Sequence, residues 1–152
     1  MAVLDRMLCF ALYAASRATT QAYRRVLEKW DLTYPQYLVL VELWSRGPLT
    51  VSELGADLAL DSGTLSPLLR RMEQAGLVAR DRDQPDARRV TVTLTARGEG
   101  MRDELAGIPD AIARAMGIEA DEVPVLIADL TRLTRSLQQA GAPAAAVPPG
   151  GR

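Results

Sequence analysis

The chain has 152 residues, a net charge of −1, 48% hydrophobic residues and a single Phe, which bounds it to one domain's worth of chain with an aliphatic core. With no His and one Cys, Ser-His-Asp and Cys-His catalysis, imidazole metal sites, Cys-rich zinc sites and an intrachain disulfide are excluded, and no cofactor or metal is expected. No uncharged apolar run of about 18 residues occurs, and the N-terminus lacks a basic region followed by an apolar stretch and cleavage site, so a soluble, cytoplasmic protein with no membrane partner is expected.

Residues from about Leu4 to Trp30 carry the first long helical pattern. Leu4, Leu8 and Leu12 make one stripe, and Ala11, Ala15, Ala18, Ala22 and Val26 make an adjoining one whose small side chains admit a closely packed second helix. Asp31 and Thr33 end this helix and cap the next. Tyr34-Pro35-Gln36-Tyr37 opens it with proline in the first turn, where a missing N–H is harmless. Leu38, Val41, Leu43 and Trp44 continue it to a break at Arg46-Gly47-Pro48.

Thr50-Val51-Ser52-Glu53 is a capping box, and Val51, Leu54 and Leu58 give the short helix after it one apolar stripe. Asp61 is a fitting N-cap for a second helix, in which Leu65, Leu68, Leu69 and Met72 share a face and Gly76 supplies the stop. Its other face carries Ser62, Thr64, Ser66, Arg70 and Glu73. Short hydroxyl side chains let a backbone approach a major groove while arginine reaches phosphates or guanine edges, so this pattern predicts a DNA-recognition helix. Pro67 removes one intrahelical bond at a cost of about 3 kcal/mol, which predicts a kinked or late-starting helix.

Leu77 to Arg82, a turn-rich Asp83-Gln84-Pro85-Asp86-Ala87 and Arg88 to Thr95 then read as a hairpin, because Val90, Val92 and Leu94 alternate with Arg89, Thr91 and Thr93. Helix-turn-helix followed by hairpin is a winged helix. Between Ser62 and Arg97, Arg70, Arg71, Arg80, Arg82, Arg88, Arg89 and Arg97 outnumber Glu73, Asp81, Asp83 and Asp86 by three, a basic island in an acidic chain and the electrostatic footprint of a nucleic-acid site.

From Ala96 to about Met116 the chain is helical again, weakened and bent by Gly98, Gly100, Gly107 and Pro109, and ended by Gly117. The last helix, about Asp121 to Gln139, sets Val123, Leu126, Leu130, Leu133 and Leu137 at three- and four-residue steps, close to a coiled-coil seam. Terminal helices with more apolar surface than a small winged helix can cover imply a second copy of the chain, and paired modules suit a two-fold DNA site. The expected fold is mainly α with a small antiparallel β-hairpin: a winged helix-turn-helix lobe over about 34–95, with N- and C-terminal dimerisation helices over about 4–30 and 96–140. Residues 1–140 make one domain and 141–152, rich in Ala, Pro and Gly, a disordered tail.

The stretch Asp86-Ala87-Arg88-Arg89-Val90-Thr91-Val92-Thr93-Leu94-Thr95-Ala96-Arg97-Gly98 resembles the wing signature of the MarR family of winged-helix transcriptional regulators. Leu8-Cys9-Phe10-Ala11-Leu12-Tyr13, Leu32-Thr33-Tyr34-Pro35-Gln36-Tyr37 and Leu60 to Leu69 are similar to the organic-hydroperoxide-sensing, OhrR-type branch of that family, and the likeness spans roughly residues 4 to 140. The resemblance implies that Cys9 is the peroxide-reactive thiol, that Tyr23 and Tyr34 hydrogen-bond its thiolate, and that Tyr13 lines the same pocket. Tyr37 is grouped with them, its plainer role being a half-buried residue with a wet hydroxyl. The resemblance also implies that the helix from Ser62 reads the major groove and that Arg88, supported by Asp86, enters the minor groove. The DNA-contacting set is then Ser62, Gly63, Thr64, Ser66, Arg70, Arg71, Arg80, Asp86, Arg88 and Arg89. No second cysteine exists, which departs from members that resolve oxidation through an intersubunit disulfide.

If the first helix begins near Asp5, Cys9 lies about one turn from a positive helix end with Arg6 one turn behind it, and both favour the thiolate that attacks peroxides. Tyr13 follows at i+4, on the same face. Tyr23 is 14 residues on, about 21 Å along one helix at 1.5 Å per residue, so it can meet Cys9 only from the other subunit. The expected function is a homodimeric repressor of an inverted-repeat operator, released when an organic hydroperoxide oxidises Cys9, after which a low-molecular-weight thiol forms a mixed disulfide or stronger oxidant carries the sulfur irreversibly up the oxidation ladder. The competing expectations are a repressor of the same fold released by a small aromatic or phenolic ligand without thiol chemistry, a thiol peroxidase, and a helical protein-binding adaptor.

Overall fold

The computed structural model of the protein describes residues 3–82 and 89–140. Asp86, Arg88 and the expected tail over 141–152 lie outside the described residues. In chain order the elements are α1 (Leu8–Leu27), α2 (Tyr34–Arg46), β1 (Leu49–Thr50), α3 (Val51–Asp57), α4 (Ser62–Gln74), β2 (Val78–Arg82), β3 (Val90–Leu94), α5 (Ala96–Leu105), α6 (Ile108–Met116) and α7 (Val123–Ala140). The backbone is mainly helical with one small antiparallel sheet, a winged helix as expected, and it divides into two compact units at Ile112.

The first helix is shorter than its apolar pattern at both ends. Val3–Arg6 is a 3-10 turn closed by the Met7 N–H donating to the Leu4 carbonyl at 3.0 Å, and Met7 is extended. The α-helix therefore begins at Leu8 rather than near Asp5. Apolar residues four apart suit either arrangement, so their spacing alone could not place the start. At the other end, Glu28–Trp30 is again 3-10, and Asp31 turns the chain out through a left-handed φ of 55°. α1 buries only Leu27, while Ala22, Tyr23 and Val26 pack half-buried against the core. Its first half is bare, with Leu8 65% and Tyr13 55% exposed.

Thr33 and Gln36 form a capping box that starts α2 with Pro35 inside the first turn, and Gly47 ends it with its N–H on the Leu43 carbonyl. Tyr37, Val39, Leu40 and Leu43 are its buried residues, placing Tyr37 in the core. Thr50 and Glu53 form the second capping box. Thr50 also belongs to β1, which pairs with β3 (Leu49 with Val92, Thr50 with Thr91), so the hairpin of β2 and β3 becomes a three-stranded sheet in the order β1-β3-β2. The sequence carries no sign of this strand, because two residues are too few to show a period of two.

α4 follows the sequence pattern closely. Leu65, Leu68, Leu69 and Met72 are its buried residues, and Asp61 accepts the Thr64 N–H at 2.9 Å. The helix starts at once after that cap and runs through Pro67 as one element, so the late start allowed for Pro67 does not occur. It ends in a Schellman motif: Gly76 takes a φ of 68°, its N–H reaches the Glu73 carbonyl, and the Leu77 N–H reaches the Met72 carbonyl, both at 2.9 Å. Leu77 and Met72, the two positions where such a cap usually carries apolar residues, are both buried.

The expected bend after the wing is a break between α5 and α6 at Ala106-Gly107, and Gly117 ends α6 with a φ of 64°. α7 begins at Val123, and four of its expected seam residues show their exposure within one chain: Leu126, Leu130 and Leu137 are exposed while Leu133 is half-buried. The core of the first unit is aliphatic, drawn from Leu27 and Leu32 through Leu40, Leu54, Leu69 and Val92 to Leu105 and Ile112.

Candidate nucleic-acid interface and tyrosine cluster

The exposed side of α4 presents Ser62, Gly63, Thr64, Arg70 and Arg71 to solvent, with Ser66 half-buried beside them. Asp61 orders its first turn twice over, since its carboxylate also accepts the Thr64 hydroxyl at 3.0 Å, and these bonds hold the Asp61 carboxyl below the usual carboxylate range. An ionised cap on the positive helix end thus orders Thr64 and stabilises the start of α4.

Arg80, on β2, is differently engaged. Its Nε and Nη2 donate to the same Glu73 oxygen at 3.0 and 2.5 Å, which lowers the Glu73 pKa and ties the sheet to the last turn of α4. Arg89 is exposed and lies with Thr50–Glu53, Ser66, Arg80 and Val90 around a groove of about 520 Å³. Glu53, held low by its Thr50 bonds first and by the charges of Arg89 and Arg46 after them, keeps the capping box ionised at the mouth of this groove.

The structure separates the redox candidates into two groups. Cys9 is exposed in the first turn of α1, and Tyr13 one turn on accepts a bond from Arg17 Nη1 at 2.9 Å. Far along the same helix, Tyr23 stacks on Tyr34 with ring centroids 4.0 Å apart and tilts against Tyr37 at 5.7 Å. Burial, then the neighbouring Tyr34 and Tyr37, pushes the Tyr23 pKa up to about 12, and burial raises Tyr34 and Tyr37 as well. All three phenols are hydrogen-bond donors at neutral pH. Beside Tyr34 lies a cavity of about 540 Å³ walled by Thr20, Arg24, Glu28, Asp31 and Thr33.

A phenol whose native pKa is raised stabilises the fold below its ordinary value of 10.0 and loses that contribution as pH climbs toward about 12. Denaturation midpoints are therefore expected to fall across that window, and to fall less in Tyr23→Phe. Equal declines in the two proteins would remove Tyr23 as the cause.

Three contacts had no signal in the sequence because they join residues from different elements. The indole N–H of Trp44 donates to the Gly98 carbonyl at 3.0 Å, Arg46 pairs with Asp57, and Trp30 donates to Glu104 at 2.8 Å. Among the described residues no group of acidic or Cys side chains is placed to hold a metal, and no helix is long and apolar enough to cross a membrane.

Residues 32–90 match the model of the MarR family. The chain is 46% identical over 134 residues to the HTH-type transcriptional regulator TtmR of Methylorubrum extorquens, covering 88% of this chain and 69% of that one. It is 42% identical to the organic hydroperoxide resistance transcriptional regulator of Bacillus subtilis, covering 90% of this chain and 92% of that protein. Among solved structures, reduced AbfR bound to DNA superposes with a TM-score of 0.75 at 36% identity, over 88% of this chain and 93% of that one. A winged helix with a capped recognition helix, matched over nearly all its length by such relatives, places the chain in the MarR family of winged-helix transcriptional regulators.

Proposed function

We propose that the protein is a homodimeric, cytoplasmic repressor that binds an inverted-repeat operator while Cys9 is reduced and releases it when an organic hydroperoxide oxidises that thiol. The observation that carries this reading is the arrangement along α1: an exposed Cys9 among bare apolar residues at one end, and Tyr23, packed against Tyr34 and Tyr37 of α2, at the other. A second copy packed on α1 in the opposite direction would cover the apolar face and bring one chain's Cys9 toward its partner's tyrosines. The B. subtilis relative, named for organic hydroperoxide resistance, and AbfR, solved on DNA in reduced and overoxidized forms, support the same chemistry.

In that chemistry the Cys9 thiolate attacks one peroxide oxygen, the O–O bond breaks, and the departing alkoxide takes up a proton to leave as an alcohol. Sulfur is oxidised by two electrons to the sulfenic acid as the peroxide is reduced by two. With one Cys in the chain, the sulfenic acid either condenses with a small cellular thiol, expelling water and leaving a mixed disulfide, or is carried irreversibly up the oxidation ladder by further peroxide. Recognition of DNA falls to the exposed face of α4, with Arg70 and Arg71 on phosphates or guanine edges and the wing residues Arg88 and Asp86 at the minor groove. The relatives named as transcriptional regulators favour a regulator, which consumes about one equivalent of hydroperoxide per subunit without a reductant, over a thiol peroxidase, which would turn over many.

The test is operator binding at fixed salt, with and without a near-stoichiometric organic hydroperoxide. Wild type is expected to lose about tenfold or more in affinity, whereas Cys9→Ser binds as the untreated protein does and ignores the peroxide. Peroxide-driven release persisting in Cys9→Ser would sink the proposal. The cavity beside Tyr34 favours one second reading, release by a phenolic ligand held near Arg24. That ligand would act equally on both proteins.

A further inference from the structure

Resting on the peroxide-release reading above, we infer that Trp44 is a positioning residue that couples the tyrosine cluster to the C-terminal end of the recognition helix. Tyr37 and Trp44 lie seven residues apart on α2, two turns along one side of the helix, with the indole meeting the phenol ring edge-on at 6.4 Å. Tyr37 in turn contacts Tyr23, so an aromatic row runs from α1 across α2. At its far end the row becomes directional: the Trp44 N–H donates to the carbonyl of Gly98 in the first turn of α5.

That turn of α5 is fastened to the end of α4. Arg97 Nη1 donates to the Ala75 carbonyl at 2.8 Å, the Thr95 hydroxyl to the Gly76 carbonyl at 2.6 Å, and the missing side chain of Gly98 leaves room for the Leu77 carbonyl. Three successive residues after α4, Ala75, Gly76 and Leu77, thus meet Arg97, Thr95 and Gly98 around the start of α5, and the Thr95 N–H adds a bond to the Leu77 carbonyl at 3.1 Å. The end of α4 cannot shift relative to that turn without breaking these bonds. The apolar contacts of the core beneath carry no such directionality, whereas a hydrogen bond depends on both distance and angle. A displacement of Tyr23 or Tyr37 reaches Gly98 through the Trp44 N–H and is delivered to the helix end as a change in orientation.

The experiment uses the full chain, operator DNA and an organic hydroperoxide. Trp44→Phe keeps an aromatic edge for Tyr37 and removes only the N–H donor. It is expected to bind the operator like wild type when reduced, while the loss of affinity on peroxide treatment shrinks from about tenfold to about threefold or less. A merely structural role would weaken both states together and leave their ratio unchanged, which would overturn the inference while leaving peroxide release standing. The chain has two tryptophans, so Trp30→Phe isolates Trp44 as the emitter. Its fluorescence is expected to shift on peroxide treatment and to stay fixed when Cys9→Ser is added. If Trp44→Phe fails to bind even when reduced, this emission decides: a shift supports the coupling, and an unchanged spectrum in a protein that releases DNA overturns it. A wild type that holds its operator through peroxide treatment overturns the functional reading itself, and the coupling with it.

Discussion

Gly98→Ala is expected to destabilise the first unit by about 1–3 kcal/mol or more, although alanine is ordinarily the better helix residue. A Cβ there would sit 2.1 Å from the Leu77 carbonyl oxygen and 3.1 Å from Leu94 Cδ2. The first neighbour is backbone, fixed by the end of α4, so the clash is relieved only by moving α5 away from the sheet and stretching the Thr95 and Arg97 bonds. Gly100 offers the internal control. It lies on the same helix with nothing within 4 Å of the site of a Cβ, so Gly100→Ala is expected to gain about 0.5–1 kcal/mol from helix propensity alone. Urea denaturation of the two variants checks both signs, and a Gly98→Ala midpoint equal to or above wild type would refute the packing account.

Leu65→Ala is the second large effect. Leu65 is fully buried in the first turn of α4, its Cδ2 facing Gly55 of α3, and it joins the two helices at the point where they turn. Truncating it removes transfer free energy and leaves a cavity, together about 2–5 kcal/mol, against a total of about 5–15 kcal/mol for a domain of this kind. The variant is expected to melt well below wild type and, at temperatures where it remains folded, to bind operator more weakly because α4 is less firmly seated on α3. A denaturation midpoint within error of wild type would show that the joint repacks without loss.

The helix-turn-helix was legible in the sequence because its signals are local. Thr50 and Glu53 are three residues apart, Asp61 meets Thr64 at the same spacing, and the buried stripe of α4 repeats at three and four residues until Gly76. Where the outcome depended on partners elsewhere, the chain was silent. β1 is too short to show alternation and exists because β3 offers it an edge. The start of α1 was misplaced by a turn because Leu4 and Leu8 keep helical spacing across a 3-10 segment. The charge pattern counted Arg80 among residues facing DNA, and only the folded arrangement reveals Glu73 against it. Likewise Trp44 read as one more apolar position on α2; its bond to Gly98, 54 residues away, leaves no trace in either segment.

The Glu73–Arg80 pair carries a consequence for the thermodynamics of operator binding. Each arginine that neutralises a phosphate displaces condensed counterions, and every such contact steepens the decline of log K with log salt by about 0.9. Arg80 enters the complex already neutralised by a carboxylate on its own chain, so it displaces no counterion unless that pair is first broken. The salt dependence of operator binding is accordingly expected to be shallower than the number of arginines in the lobe suggests, while the pair itself holds β2 to the end of α4.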